Sequence, residues 1–245
     1  MERARRQIVA MGGGGFSMEA GNPLLDDYVL SLTGKPDPRV CFLPSASGDA
    51  DHYIVRFYRH FGGDRCRASH VSLFRRERGV RDVRAHLLEQ DLIYVGGGCV
   101  ISLLGVWRAH GLDTILREAW DRGVVLCGLS AGSLCWFSAS VSAYNGAPRV
   151  VRGLGFLPHS NTVHYDSEPA RRDVYHRRIL EGMPAGYASD DGAALHFVDD
   201  RLHAVVTSRM GARAHRVELE AGAVRETTLD GAYLGAPVLA AAAAA

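Results

Sequence analysis

The chain has 245 residues, 47% of them hydrophobic and 22% charged, which suits one α/β domain with a sizeable core. Its 28 basic and 27 acidic residues give a formal net charge of +1, and no basic stripe with interleaved aromatics marks a nucleic-acid-binding face. The N-terminus lacks an apolar signal core, no apolar stretch reaches membrane-spanning length, and the five cysteines (Cys41, Cys66, Cys99, Cys127, Cys135) stand singly without zinc or redox spacing. These features point to a cytoplasmic protein without a disulfide framework or a metal.

Apolar runs and helix-like stretches alternate along the chain. Residues 7–11 read as a first strand, closed by Gly12, Gly13, Gly14 and Gly15. The spacing predicts a helix over 24–32, a strand over 39–43, a helix over 51–61 and a strand over 68–74. A short polar helix follows over 80–89, then a strand over 92–95 that ends in Gly96, Gly97 and Gly98. Helices over 101–110 and 114–121 lead to a fifth strand over 124–127. Short β-branched runs between helices of this length indicate βαβ units and a parallel sheet. From about residue 185 the pattern alternates instead, over 193–198, 202–207 and 213–218, and predicts an antiparallel extension of the sheet. Residues 1–239 are expected to form a single α/β domain, and the alanines from 240 to 245 a tail outside it.

The fifth strand runs into Gly128-Leu129-Ser130-Ala131-Gly132. Gly-x-Ser-x-Gly between a strand and a helix is a nucleophile elbow: a sharp turn that presents the serine hydroxyl above the sheet. The next amide, of Ala131, then lies at a helix N-terminus, where it can donate to an oxyanion. The glycines at 96–98 allow the backbone to pass close to a substrate, and one of their amides could be a second oxyanion donor; the alternative is a plain tight turn. Among 11 histidines, His164 is the best-placed base, because it ends the strand-like Ser160-Asn161-Thr162-Val163 and opens a polar loop. His159 is the runner-up. Arg171 and Arg172 follow shortly and could recognise a carboxylate through their guanidinium forks, or simply be solvated at a helix start.

Several ordered stretches resemble peptidase E, the α-aspartyl dipeptidase family of serine peptidases, and its cyanophycinase relatives. They are residues 8–18, Asn22-Pro23-Leu24-Leu25-Asp26, residues 41–49, Tyr94-Val95-Gly96-Gly97-Gly98, residues 128–133, residues 153–158, His164-Tyr165-Asp166-Ser167-Glu168 and residues 190–195. The resemblance implies a flavodoxin-like sheet flanked by helices, as in class I glutamine amidotransferases. It implies a Ser-His acyl-enzyme mechanism without metal or cofactor, with Ser130 as nucleophile and His164 as base. Ala131 and the Gly97–Gly98 stretch would hold the oxyanion, Gly97 and Cys99 would line the substrate cleft, and Arg171 or Arg172 would hold an acidic substrate side chain. The expected substrate is a short peptide, a dipeptide with N-terminal Asp, and the expected state a monomer or homodimer. Two departures stand out. Cys99-Val100 replaces the family's Asn-Thr after the triple glycine. No carboxylate follows the serine at the family's usual distance, and Asn145 stands there instead. The third member of a triad is then Asn145 or another acid, among them Asp166 and Asp191, with Glu168, Asp173 and Asp190 also at hand. A different small amide, a cyanophycin-type β-aspartyl dipeptide, and a diverged non-catalytic binding protein remain as alternatives.

Overall fold

The computed structural model describes residues 5–75, 80–144 and 146–235. Asn145 and the alanine tail lie outside them. In chain order the elements are β1 (Gln7–Met11), α1 (Gly15–Met18), α2 (Leu24–Ser31), β2 (Arg39–Leu43), α3 (Asp51–Phe61), β3 (Arg67–His70), α4 (Val83–Leu88), β4 (Leu92–Val95), α5 (Val100–His110), α6 (Leu112–Asp121) and β5 (Val125–Leu129). The second half adds α7 (Ala131–Leu134), β6 (Phe137–Ser142), β7 (Arg149–Val151), β8 (Leu157–Val163), α8 (Ala170–Leu180), β9 (Gly186–Ser189), β10 (Ala193–Val198), β11 (Arg201–Thr207), β12 (Ala214–Glu220), β13 (Ala223–Leu229) and β14 (Ala232–Tyr233).

The fold is mixed α/β, with a mostly parallel central sheet flanked by helices. Strand order in that sheet is β14-β11-β10-β1-β5-β4-β2-β3. Strands β1 to β5 run parallel, and β10 joins β1 antiparallel, as the change of pattern predicts. The strands are apolar on both faces because both faces are covered. Ile8, Ala10, Leu43, Ile93 and Leu126 pack on one side with Trp107 of α5 and Leu116 and Trp120 of α6. Val9, Met11, Phe42, Tyr94 and Cys127 pack on the other with Leu25 and Val29 of α2 and Phe57 and Phe61 of α3.

Several boundaries differ from expectation, and three of them have a clear local reason. Strand β3 stops at His70 because residues 72–74 bend to give three hydrogen bonds to Asp49 Oδ2, at 2.6, 2.7 and 2.9 Å. Helix α4 starts late because Asp82 caps it, accepting from the Ala85 amide at 2.9 Å. Strand β5 runs on through Gly128 and Leu129, which pair with Ala10 and Met11.

The larger difference is a second sheet, β13-β12-β9-β8-β6-β7. The alternating segment at 213–218 becomes β12 of this sheet and does not extend the first. Strands β6, β8 and β9 are parallel to one another, and β9 hands the chain directly to β10 of the first sheet. The carboxyl ends of β1, β4 and β5, the carboxyl ends of β8 and β9, and the start of β10 therefore meet. The candidate site sits at that meeting point, in keeping with the rule that ligands lie beyond the carboxyl ends of parallel strands.

Candidate active site

Ser130 joins β5 to α7 with φ 51° and ψ −114°, a backbone state that few non-glycine residues adopt. The glycines on either side explain how the bend is accommodated. A Cβ at Gly132 would lie 2.3 Å from the Val95 carbonyl oxygen, and one at Gly128 2.4 Å from that of Gly132. Neither position has room for a side chain, so α7 can press onto the ends of β4 and β5 only with glycine there. His164 directly follows β8 and also has positive φ, 55°. Both strained residues point to a site where geometry outranks local stability.

The two side chains meet. Ser130 Oγ lies 2.9 Å from His164 Nε2, and His164 Nδ1 lies 2.6 Å from Asp191 Oδ1. A carboxylate only accepts, so Nδ1 carries the proton and Nε2 is left to accept from the serine hydroxyl. Asp191 is fixed in turn by the loop after His164. Ser167 Oγ donates to Asp191 Oδ2 at 2.9 Å, and the Asp191 amide donates to Asp166 Oδ1 at 2.9 Å. Of the three residues considered for the third position, Asp191 thus contacts the imidazole, Asp166 holds the Asp191 backbone, and Asn145 lies outside the described residues. Burial works to raise the Asp191 pKa, but the hydrogen bond and charge of His164, the Ser167 hydroxyl and the Arg209 charge outweigh it and hold it below the ordinary value.

Gly13 supplies the opposite wall. It bridges to Asp191, and its carbonyl accepts from the Gly192 amide at 3.0 Å. A Cβ at Gly13 would lie 2.1 Å from Asp191 Oδ1 and 3.1 Å from His164 Cε1. The glycine run after β1 therefore makes room for the carboxylate. Its composition signals a tight approach, but not to which residue.

Gly97 lies over the serine: a Cβ there would sit 3.4 Å from Ser130 Cβ. Its amide donates to the Tyr53 hydroxyl at 3.1 Å, a partner that nothing in the local sequence announces. Gly98 has φ 135° and packs against the Ala46 carbonyl. Cys99 is buried at the start of α5, with its amide on Ala46 O at 2.8 Å. Among the described residues, no hydrogen bond consumes the amides of Gly98 or Ala131. These are the two that the sequence offers for an oxyanion.

The arginine pair is engaged elsewhere. Arg171 is buried and forks onto Glu168, Nε to Oε2 at 2.7 Å and Nη2 to Oε1 at 3.1 Å, while Nη1 reaches Val141 O at 3.4 Å. The Arg171 hydrogen bond, against the opposing effect of burial, holds the Glu168 carboxyl below its ordinary range. Arg172 Nη2 donates to Glu226 Oε1 at 2.6 Å. His159, the alternative base, is turned to the carbonyl of Asp200, 3.1 Å from Nε2. Among the described residues, no group of three or more His, Cys, Asp or Glu side chains is arranged to hold a metal ion, and no helix is long and apolar enough to cross a membrane.

A strained serine at a strand-helix bend, hydrogen-bonded to a histidine that a carboxylate orients, is the constellation of serine hydrolases. Comparison with known proteins narrows the class. The model of peptidase family S51 matches residues 8–205. The uncharacterized peptidase YgaJ of Bacillus subtilis (strain 168) is 48% identical over 231 residues, which is 94% of this chain and 100% of that protein. The crystal structure of a peptidase from an acI-B1 Actinobacterium shares the fold at a TM-score of 0.71 and 17% identity, covering 94% of this chain and 96% of that one. A candidate peptidase E from Listeria monocytogenes EGD-e does so at 0.55 and 16%, covering 93% and 100%. The chain belongs to peptidase family S51, and it is a serine-type peptidase.

Proposed function

We propose that the chain hydrolyses short peptides through an acyl-enzyme on Ser130. The observation that carries this reading is the Ser130–His164–Asp191 relay, at 2.9 and 2.6 Å. His164 Nε2 takes the hydroxyl proton as Ser130 Oγ attacks the peptide carbonyl. Asp191 keeps the imidazole in the right tautomer and stabilises the imidazolium. The amides of Ala131 and Gly98 receive the oxyanion. His164 then gives its proton to the leaving amine, and a water molecule, deprotonated by the same nitrogen, releases the acid. With Asp191 on Nδ1, the carboxylate missing after the serine is supplied from elsewhere in the chain, which favours a working enzyme over a binding protein that merely retains the cleft.

The family resemblance suggests dipeptides with N-terminal Asp. That preference calls for a cation beside the acyl residue. Arg171 is closed onto Glu168, so a residue other than Arg171 would have to serve. Arg209, bound to Glu19 and partly exposed, is the cation whose charge Asp191 senses. A cytoplasmic site of action fits the buried thiols of Cys41, Cys66, Cys127 and Cys135. The test is amine release from a panel of dipeptides that includes Asp-Leu, β-Asp-Arg and neutral pairs, with wild type and Ser130→Ala. The expected result is turnover of at least one α-dipeptide that Ser130→Ala reduces by 10³-fold or more, on the order of what loss of a nucleophile costs. Turnover unchanged in Ser130→Ala would overturn the reading.

A further inference from the structure

Next to the Gly97–Gly98 turn, on the side of Cys99, lies a groove of about 580 Å³ whose lining includes Ala46, Phe74, Cys99, Gly105, Val106 and Tyr144 and contains no charged residue. It neighbours the candidate site through Cys99, which directly follows Gly98 and forms part of the lining. Its wall at Ala46 is the one against which Gly98 packs, and Gly97, one residue before, lies over Ser130. Its volume falls in the range of small-ligand sites.

Two features show that the groove is not incidental. Phe74 and Tyr144 are large apolar side chains left 51% and 60% exposed. Phe74 is also held there: the bonds from Ser72, Leu73 and Phe74 to the buried Asp49 carboxylate fix its loop. Phe74 and Tyr144 both line the same groove, and exposed apolar side chains gathered on one concave surface, unlike single ones, mark ligand-binding grooves. The second feature is Gly105, inside α5. Glycine there costs the helix about 1 kcal/mol relative to alanine. Yet its φ is not in the left-handed region, and no atom lies within 4 Å of an added Cβ. Neither backbone nor packing asks for glycine, and what its absent side chain provides is space in the groove.

We propose that this groove is a specificity subsite of the Ser130 centre and takes an apolar side chain of leucine or phenylalanine size, on a residue flanking the scissile bond. The inference rests on Ser130 being the nucleophile. Replacement of the polar Asn-Thr pair by Cys99-Val100 agrees with it.

Two measurements on the whole protein test it: kcat/KM for dipeptides bearing Ala, Leu, Phe or Asp at each position in turn, and the rate at which a small fluorophosphonate labels Ser130. At one of the two positions, Leu or Phe is expected to exceed Ala by about ten- to a hundred-fold, the usual gain from filling an apolar pocket. Gly105→Phe, which fills the groove, should remove most of that advantage. The effect is read as the Leu-to-Ala ratio of kcat/KM, and labelling of Ser130 in the same variant shows that the site is still assembled. Gly105→Ala, which leaves most of the groove open, should retain the apolar preference. Labelling of Ser130 without an apolar preference at either position, or a preference that survives Gly105→Phe, would overturn the subsite alone. Absence of labelling in wild type would overturn the nucleophile and the subsite with it.

Discussion

Asp191 is held from three sides: by His164 Nδ1, by the Ser167 hydroxyl and, through its own amide, by Asp166. A carboxylate so fixed can hold an imidazole in one orientation and one tautomer. Asp191→Asn would keep the size and most contacts but could present an N–H to Nδ1 and favour the wrong tautomer. We expect kcat to fall by on the order of 10⁴-fold with little change in KM, measured by steady-state kinetics; a loss under tenfold would remove Asp191 from the relay. Ser130 and His164 stand out in the chain because each sits where a run of strand-forming residues ends. Asp191 does not. It lies 27 residues from His164 and is one acid among several until the second sheet brings it to the ring. Arg171 misleads for the same reason: a buried fork on Glu168 and a solvated clamp have the same sequence.

The elbow depends on how closely α7 approaches the sheet. A methyl group at Gly132 would meet the Val95 carbonyl oxygen, which cannot move without breaking the β4–β5 pairing. Gly132→Ala should destabilise the protein by about 1–3 kcal/mol, the usual cost of overpacking, and displace Ser130. A lower melting temperature together with lost activity checks this; an unchanged melting curve would show that α7 has slack. The central strands are legible because both faces are covered and the runs are continuously apolar. The second sheet is harder to see because its strands carry polar and small residues, several of them hydrogen-bonded internally. Ser140 Oγ donates to Leu134 O at 3.2 Å, and Asn161 Nδ2 donates to Ser133 Oγ at 3.0 Å. Gly186 begins β9 because a Cβ there would meet Ser160 O at 2.0 Å. Read along the chain, such residues look like turns.

The two sheets join through Ser189–Ala193, and the join carries a titratable group with an opposite tendency to Asp191. Burial pushes the Asp190 carboxyl up from 3.8 to about 6, helped by Asp166 and Asp191 and opposed by the Arg213 amide and charge. The folded state therefore keeps this proton between about pH 4 and 6, where the unfolded chain has released it. That contribution is full below pH 4 and is lost as pH rises to 6, up to about 3 kcal/mol for a shift of this size. Asp191 acts the other way: its depressed pKa adds stability at neutral pH that is lost below about pH 4. Asp190→Asn should flatten the decline in melting temperature between pH 4 and 6.5 relative to wild type, by several degrees. Parallel curves for the two proteins would contradict it. Everything proposed for the molecule as a peptidase, however, turns on one oxygen. The most direct measurement is intact and peptide mass after brief exposure to a fluorophosphonate, in wild type, Ser130→Ala and His164→Ala. The account predicts a single adduct on Ser130 in wild type and almost none in either variant over the same time. An adduct at another residue, or equally fast labelling of Ser130 without the imidazole, would contradict it.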